Sequence, residues 1–209
     1  AALDIIQAAT KETREDNPYG GEMKWRNVYN DETGEYEQKE VNVGGITKPC
    51  GLKVLYFCPD TMISNVAREI KRWAPHRNVV ILGGQSKAAR RFLLDTMKDF
   101  PEYVVILNYA AWRRDKSLIE DLIDIDFDTV IVDEAHNARN RTAARTKRIF
   151  RYFSEHSATK LFAWSGTLTS KSLKDYATLS YYALKEQTPA PIHQPTVEEW
   201  AGHLDPSDF

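Results

Sequence analysis

The densest chemistry in this chain sits at Asp133-Glu134-Ala135-His136, directly after the apolar residues Val130, Ile131 and Val132. In open parallel sheets, ligands collect at the carboxyl ends of strands, so two adjacent acids there suit a nucleotide-hydrolysing site. Asp133 can hold a magnesium ion through water, and Glu134 can orient and deprotonate the attacking water. The plainer reading is an acidic turn capping the next helix. The apolar run ahead of the acids, and the histidine two places after the glutamate, argue against it. Zinc fails on spacing. His136 lacks a partner histidine at i and i+4 around a glutamate, and Cys50 and Cys58 have no His or Cys cluster nearby. His76, His156, His193 and His203 read as surface residues.

Three other strand ends carry polar residues. Ser165-Gly166-Thr167 follows Leu161, Phe162, Ala163 and Trp164; its hydroxyls can relay contacts from a phosphate site or cap the next helix. Cys58-Pro59-Asp60-Thr61 follows Tyr56 and Phe57, and Asn108-Tyr109 follows Ile106 and Leu107. Both loops suit a grip on a nucleic-acid backbone through N–H groups and short polar side chains. Arg139, Arg141, Arg145, Lys147, Arg148 and Arg151 cluster after the acids, and Lys87, Arg90 and Arg91 form a smaller group. These are either phosphate contacts or solvated helix faces.

The elements that position these residues are legible in the hydrophobic pattern. Short apolar runs at residues 54–57, 79–82, 104–107, 129–132 and 161–164 read as strands buried on both faces. Between them, helical spacing appears at Met62, Val66, Ile70 and Trp73, then over residues 88–97, 118–123 and 143–153, with a last helix over 173–184. Five strands alternating with helices predict an α/β fold, a parallel sheet with helices on both faces. Residues 12–50 break the rhythm. Trp25, Val28 and Tyr29 precede a polar turn, and Tyr36, Val41 and Val43 follow it, which predicts an inserted β-hairpin arm. Residues 1–9 read as a helix body without an N-cap. The organisation expected is one lobe over 1–184, with 185–209, rich in proline, as a linker or the start of another element.

Composition sets the class. The chain has 209 residues, 42% hydrophobic and 28% charged, enough for a packed core and against wholesale disorder. A formal charge of -2 excludes a generally basic nucleic-acid coat but not a local basic groove. Two cysteines make no disulfide framework, and no apolar run reaches a membrane span of roughly 18 residues. The expectation is a cytoplasmic or nuclear protein, not secreted, with no membrane partner.

Asp-Glu-Ala-His after one strand and Ser-Gly-Thr after the next resemble the first motor domain of superfamily 2 helicases and translocases. The flanks look most like the Swi/Snf-type branch. Its Cys-Pro loop, asparagine and following helix are matched by Cys58, Pro59, Asn65 and Glu69; its glycine and downstream arginine by Gly84 and Arg90; its Thr-Tyr pair by Asn108-Tyr109. Arg139-Asn140 stands where Lys-Asn is common. Val66, Asn108 and Leu168 depart from the usual tryptophan, threonine and proline. The resemblance implies a RecA-like, P-loop NTPase fold that uses ATP and Mg2+ and moves on DNA, duplex above all, together with a second RecA-like lobe. Asp133, Glu134 and His136 would be catalytic, and Ser165, Gly166 and Thr167 would couple hydrolysis to movement. Cys58, Pro59, Asp60, Asn65, Gly84, Asn108, Tyr109, Arg139 and Asn140 would face the nucleic acid.

No Gly-x-x-x-x-Gly-Lys-Ser/Thr loop occurs in the 209 residues. In the resembled family that loop lies just before a helix of the kind read at residues 1–9. The parent chain is therefore expected to carry it a few residues upstream, and these residues alone are expected to hydrolyse no ATP. Two other readings share the sequence: a non-catalytic nucleic-acid or protein-binding module that recruits through the hairpin arm, and an RNA-directed helicase. The intact acid pair speaks against the first.

Overall fold

A computed structural model describes residues 22–30, 35–43, 52–140, 143–166, 172–191 and 193–205. The helix read at residues 1–9, together with Cys50, Arg141 and Thr167, lies outside the described residues. β1 (Glu22–Asn30) and β2 (Glu35–Val43) pair antiparallel as a separate two-stranded sheet, with Tyr29 opposite Tyr36. This is the hairpin expected within residues 12–50.

The remaining strands are β3 (Lys53–Cys58), β4 (Asn78–Ile81), β5 (Tyr103–Asn108), β6 (Thr129–Asp133) and β7 (Lys160–Trp164). They form one sheet in the order β4-β5-β3-β6-β7, and every pairing in it is parallel. The α/β fold follows from the apolar runs themselves. Successive strand side chains point to opposite faces. Leu55, Phe57, Val105, Leu107, Val130 and Val132 enter one core, and Val54, Tyr56, Cys58, Val104, Ile106 and Ile131 enter the other. A run apolar at every position is stable only when both faces are covered.

The helices provide that cover. α1 (Ile63–Trp73) packs Ile70, Val66 and Ala67 on the second face. The first face is covered by α2 (Lys87–Met97), α3 (Tyr109–Arg114), α4 (Ser117–Ile123), α5 (Ala144–Glu155) and α6 (Lys174–Leu184). The Ser86 Oγ caps α2 by accepting from the Ala89 N–H at 3.2 Å, which satisfies one of the unpaired donors of the first turn. The hydrophobic pattern does not reveal α3, because six residues are too few to show a period.

Within residues 185–209, read as a linker or the start of another element, α7 (Gln194–Leu204) forms, with Pro195 in its first turn, where a missing N–H costs nothing. Val197 and Ala201 of α7 pack with Leu173, Ala177 and Ala190 as a small separate core. The Asp205 Oδ1 closes it by accepting from the Leu173 N–H at 2.9 Å.

Candidate active site

The carboxyl edge of the sheet gathers the loops that follow all five strands, and Asp133 is the last residue of β6. Its carboxylate is held from two sides. Oδ2 accepts from the Tyr56 hydroxyl at 3.2 Å and Oδ1 from the Glu134 N–H at 2.9 Å. The Asp133 main-chain carbonyl accepts from the Tyr109 hydroxyl at 2.6 Å. Burial pushes the Tyr56 hydroxyl well above its ordinary range, and the charge and hydrogen bond of Asp133 push it further. Burial does the same to Tyr109, with the Asp133 charge adding to it. Both phenols therefore stay protonated and donate.

Glu134 has φ +52° and ψ +54°, a left-handed conformation that L-residues rarely adopt. The turn swings its carboxylate towards the following 3-10 segment, Ala135–Ala138, where Oε2 lies 3.1 Å from His136 Nδ1. The same Nδ1 is 3.1 Å from the Ser165 Oγ. The sheet register explains that meeting, because Asp133 pairs with Trp164 and Ser165 is the next residue of the β7 loop. On the other side of the ring, the Asn137 amide nitrogen lies 3.3 Å from Nε2 and 3.1 Å from the Glu134 carbonyl. An amide N–H donating to Nε2 leaves the proton on Nδ1, between Glu134 and Ser165.

The other loops at this edge divide by what they present. Pro59 is half-buried, and Asp60, Asn65 and Gly84 are exposed, so they stand where a ligand at the edge can reach them. Gly84 has φ +81°, the conformation glycine adopts without strain. Gly166 is exposed as well.

Cys58, Asn108 and Tyr109 turn their side chains into the fold. The Cys58 thiol is fully buried in the second core, and burial, with the charges of Asp133 and Asp60, pushes it up to about 12. Tyr109 stacks on Phe57 with its ring inside. Asn108 is buried; its Oδ1 caps α3 by accepting from Ala111 N–H at 3.2 Å, and its Nδ2 donates to Asp60 Oδ1. A Cβ on Gly83 would meet that Oδ1 at 3.0 Å, so the β4 loop closes against the same asparagine.

The basic clusters are also largely spoken for. Arg90 is buried among Asp115, Asp121 and Ser117, and Arg91 reaches Asp121. Arg148 donates to the carbonyls of Trp112 and Arg113 at the end of α3. Arg151 pairs with Glu155, and Arg139 lies 3.9 Å from Asp175. Asn140 is exposed beside Arg139. Sequence reading missed Tyr56, whose hydroxyl at an inward strand position is the one signal that it needs a polar partner.

The donor set fits a magnesium ion. Among the described residues no group of three or more His, Cys, Asp or Glu side chains stands ready to enclose a metal. Magnesium is ordinarily held by one or two carboxylates plus water and substrate phosphates, and Asp133, with lone pairs left beyond its two donors, provides such an oxygen.

The profile of the SNF2-related domain matches residues 3–187. The mouse Chromodomain-helicase-DNA-binding protein 1-like is 26% identical over 125 residues, which are 60% of this chain and 13% of that protein. The ISWI chromatin-remodeling complex ATPase ISW1 of Saccharomyces cerevisiae is 31% identical over 86 residues, 41% of this chain and 7% of that protein. Among solved structures, the Sulfolobus solfataricus SWI2/SNF2 ATPase core in complex with dsDNA aligns with a TM-score of 0.46 at 18% identity, covering 63% of this chain and 25% of that one. The chain thus spans a small part of the length of the curated relatives it matches. With the profile running from before the hairpin to beyond α6, over an acid pair set at the end of a central parallel strand, the chain belongs to the SNF2-related domain family.

Proposed function

We propose that this domain is the first motor lobe of an ATP-dependent translocase on duplex DNA, with Glu134 as the general base and Asp133 as the water-mediated holder of magnesium. The observation that carries the reading is the shared position of His136 Nδ1, 3.1 Å from both the Glu134 carboxylate and the Ser165 hydroxyl. It joins the residue that would act on water to the loop of the next strand. A change at one is felt at the other through a single imidazole.

Each residue then has a physical task. Asp133 keeps a fixed carboxylate because two donors already orient it. Glu134, half-buried beside His136, has a carboxylate free to turn from the imidazole to a water. Ser165 takes up the Nδ1–H when Glu134 turns away, and Thr167, two positions on in the sequence, shares the coupling role. A bound magnesium ion would neutralise phosphate charge and orient the terminal phosphate. The half-buried Pro59 and the exposed Asp60, Asn65, Gly84 and Asn140 are the surface offered to the DNA backbone. The names of the relatives, a helicase-DNA-binding protein and a chromatin-remodeling ATPase, support the same assignment. In this reading the lobe works together with a second RecA-like lobe.

The test is ATP hydrolysis by the full-length protein with no nucleic acid, duplex DNA, single-stranded DNA or RNA. Strong stimulation by the duplex is expected, and Glu134→Gln should lower the stimulated rate by about 10²–10⁴-fold, the usual worth of a general base. Stimulation by RNA alone would reassign the substrate. Full hydrolysis by Glu134→Gln would remove the base from Glu134 and with it the catalytic reading.

A further inference from the structure

The peptide group between the two acids is held at both ends. Its N–H, on Glu134, donates to Asp133 Oδ1 at 2.9 Å, and its C=O, on Asp133, accepts from the Tyr109 hydroxyl at 2.6 Å. The first bond is internal to the acid pair and turns with it. The second comes from elsewhere, because Tyr109 opens α3 after β5, and β3 lies between β5 and β6 in the sheet. The pairing of β3 with β6 ends at Phe57 opposite Val132, one residue short of Asp133. The tyrosine hydroxyl therefore takes over just where the ladder stops.

We propose that Tyr109 is a positioning residue for the acid pair, its hydroxyl fixing the plane of the Asp133–Glu134 peptide and so the direction of the Glu134 carboxylate. This rests on the reading of Glu134 as the base. A left-handed glutamate has no local preference for its conformation; Asn137 holds the Glu134 carbonyl within the turn, and Tyr109 holds the peptide ahead of it from outside. The ring is rigidly seated: it is buried and stacks on Phe57 at 6.1 Å with 19° between planes. Its chain neighbour Asn108 donates to Asp60 and abuts Gly83. Tyr109 thus connects the loops after β3 and β4 to the acids on β6, and a displacement of those loops by a ligand reaches Glu134 through one hydroxyl.

The test uses the full-length protein and Tyr109→Phe, which keeps the ring and deletes the bond. Tyr152→Phe is the comparison. It deletes a buried hydroxyl that serves Ile125 and Phe127 ahead of the amino end of β6, far from the acids in the strand. Tyr109→Phe should lower the DNA-stimulated kcat by about tenfold to a hundredfold, the scale of a small misplacement, with KM for ATP within about twofold of wild type. Amide hydrogen exchange, measured without nucleotide, should accelerate at residues 133–136 and stay unchanged at 54–58. Tyr152→Phe should leave kcat near wild type. A Tyr109→Phe protein with wild-type kcat and exchange overturns the proposal, as does an equal loss of kcat in Tyr152→Phe, which would mark a general effect of stability. Full activity in Glu134→Gln, by contrast, would sink the underlying assignment of the base whatever Tyr109→Phe does.

Discussion

His136 and Ser165, twenty-nine positions apart, meet with the imidazole Nδ1 3.1 Å from the seryl Oγ. Neither helix nor strand pairing joins them directly. They meet because β6 and β7 are parallel neighbours whose last paired residues are Asp133 and Trp164. The same nitrogen faces Glu134, so one proton has two acceptors and the contact can be exchanged between them.

If that exchange accompanies turnover, Ser165→Ala should leave ATP binding intact and lower the DNA-stimulated rate. Loss of one hydrogen bond of about 0.5–1.5 kcal/mol corresponds to about a twofold to twelvefold fall in rate. Steady-state kinetics of the full-length variant, with duplex DNA saturating, would show it. An unchanged rate would leave Ser165 as a loop residue only.

The left-handed Glu134 gives a second prediction with opposite signs for stability and activity. Relieving a non-glycine residue at φ +52° is worth about 1–2 kcal/mol per residue, reduced by the greater freedom of glycine in the unfolded chain. Glu134→Gly should thus be stabilised by up to about 1 kcal/mol in chemical denaturation, while hydrolysis is lost. Glu134→Gln, which keeps the strain, should show no such gain.

Arg90 is only 3% exposed and binds Asp115 at 2.8 Å, the Ser117 Oγ at 2.9 Å and Asp121 at 3.2 Å. It also donates to the Gln85 carbonyl, pinning the loop that carries Gly84. Arg90→Ala would leave the Asp121 carboxylate buried with Arg91 as its remaining ion-pair partner. Breaking such a buried pair costs about 3–5 kcal/mol, readable as a shift in the denaturation midpoint. Arg90→Lys should recover little of it, since an ammonium cannot reproduce the planar fork.

Cys58 links the fold to pH. Its thiol is raised from an ordinary 9.0 to about 12 by burial first and by Asp133 and Asp60 next. The folded state therefore keeps the proton where the unfolded chain loses it. The stability this group contributes is complete below pH 9 and is lost as pH rises through about 12. Tyr56 and Tyr109, raised in the same direction, add to the slope. Iodoacetamide at pH 8 should leave Cys58 unmodified in the native protein and modify it after denaturation, as mass spectrometry would report.

The apolar runs determined the fold without help from the structure. Runs of about four apolar residues read as strands covered on both faces, and helical spacing between them predicts parallel crossovers. The same pattern put Asp133 and Glu134 at a strand's carboxyl end, because the run stops where the acids begin. Local signals failed where a residue's role depends on a partner far along the chain. Arg90 and Arg148 look like solvated cations in sequence, yet one is buried against carboxylates and the other caps α3. Asn108 and Tyr109 look like loop residues facing a ligand, yet sheet order turns them inward to Asp60 and Asp133. Composition records how many charges and hydroxyls there are. Only the packed sheet, by bringing β5 and β6 to either side of β3, decides which of them point at one another.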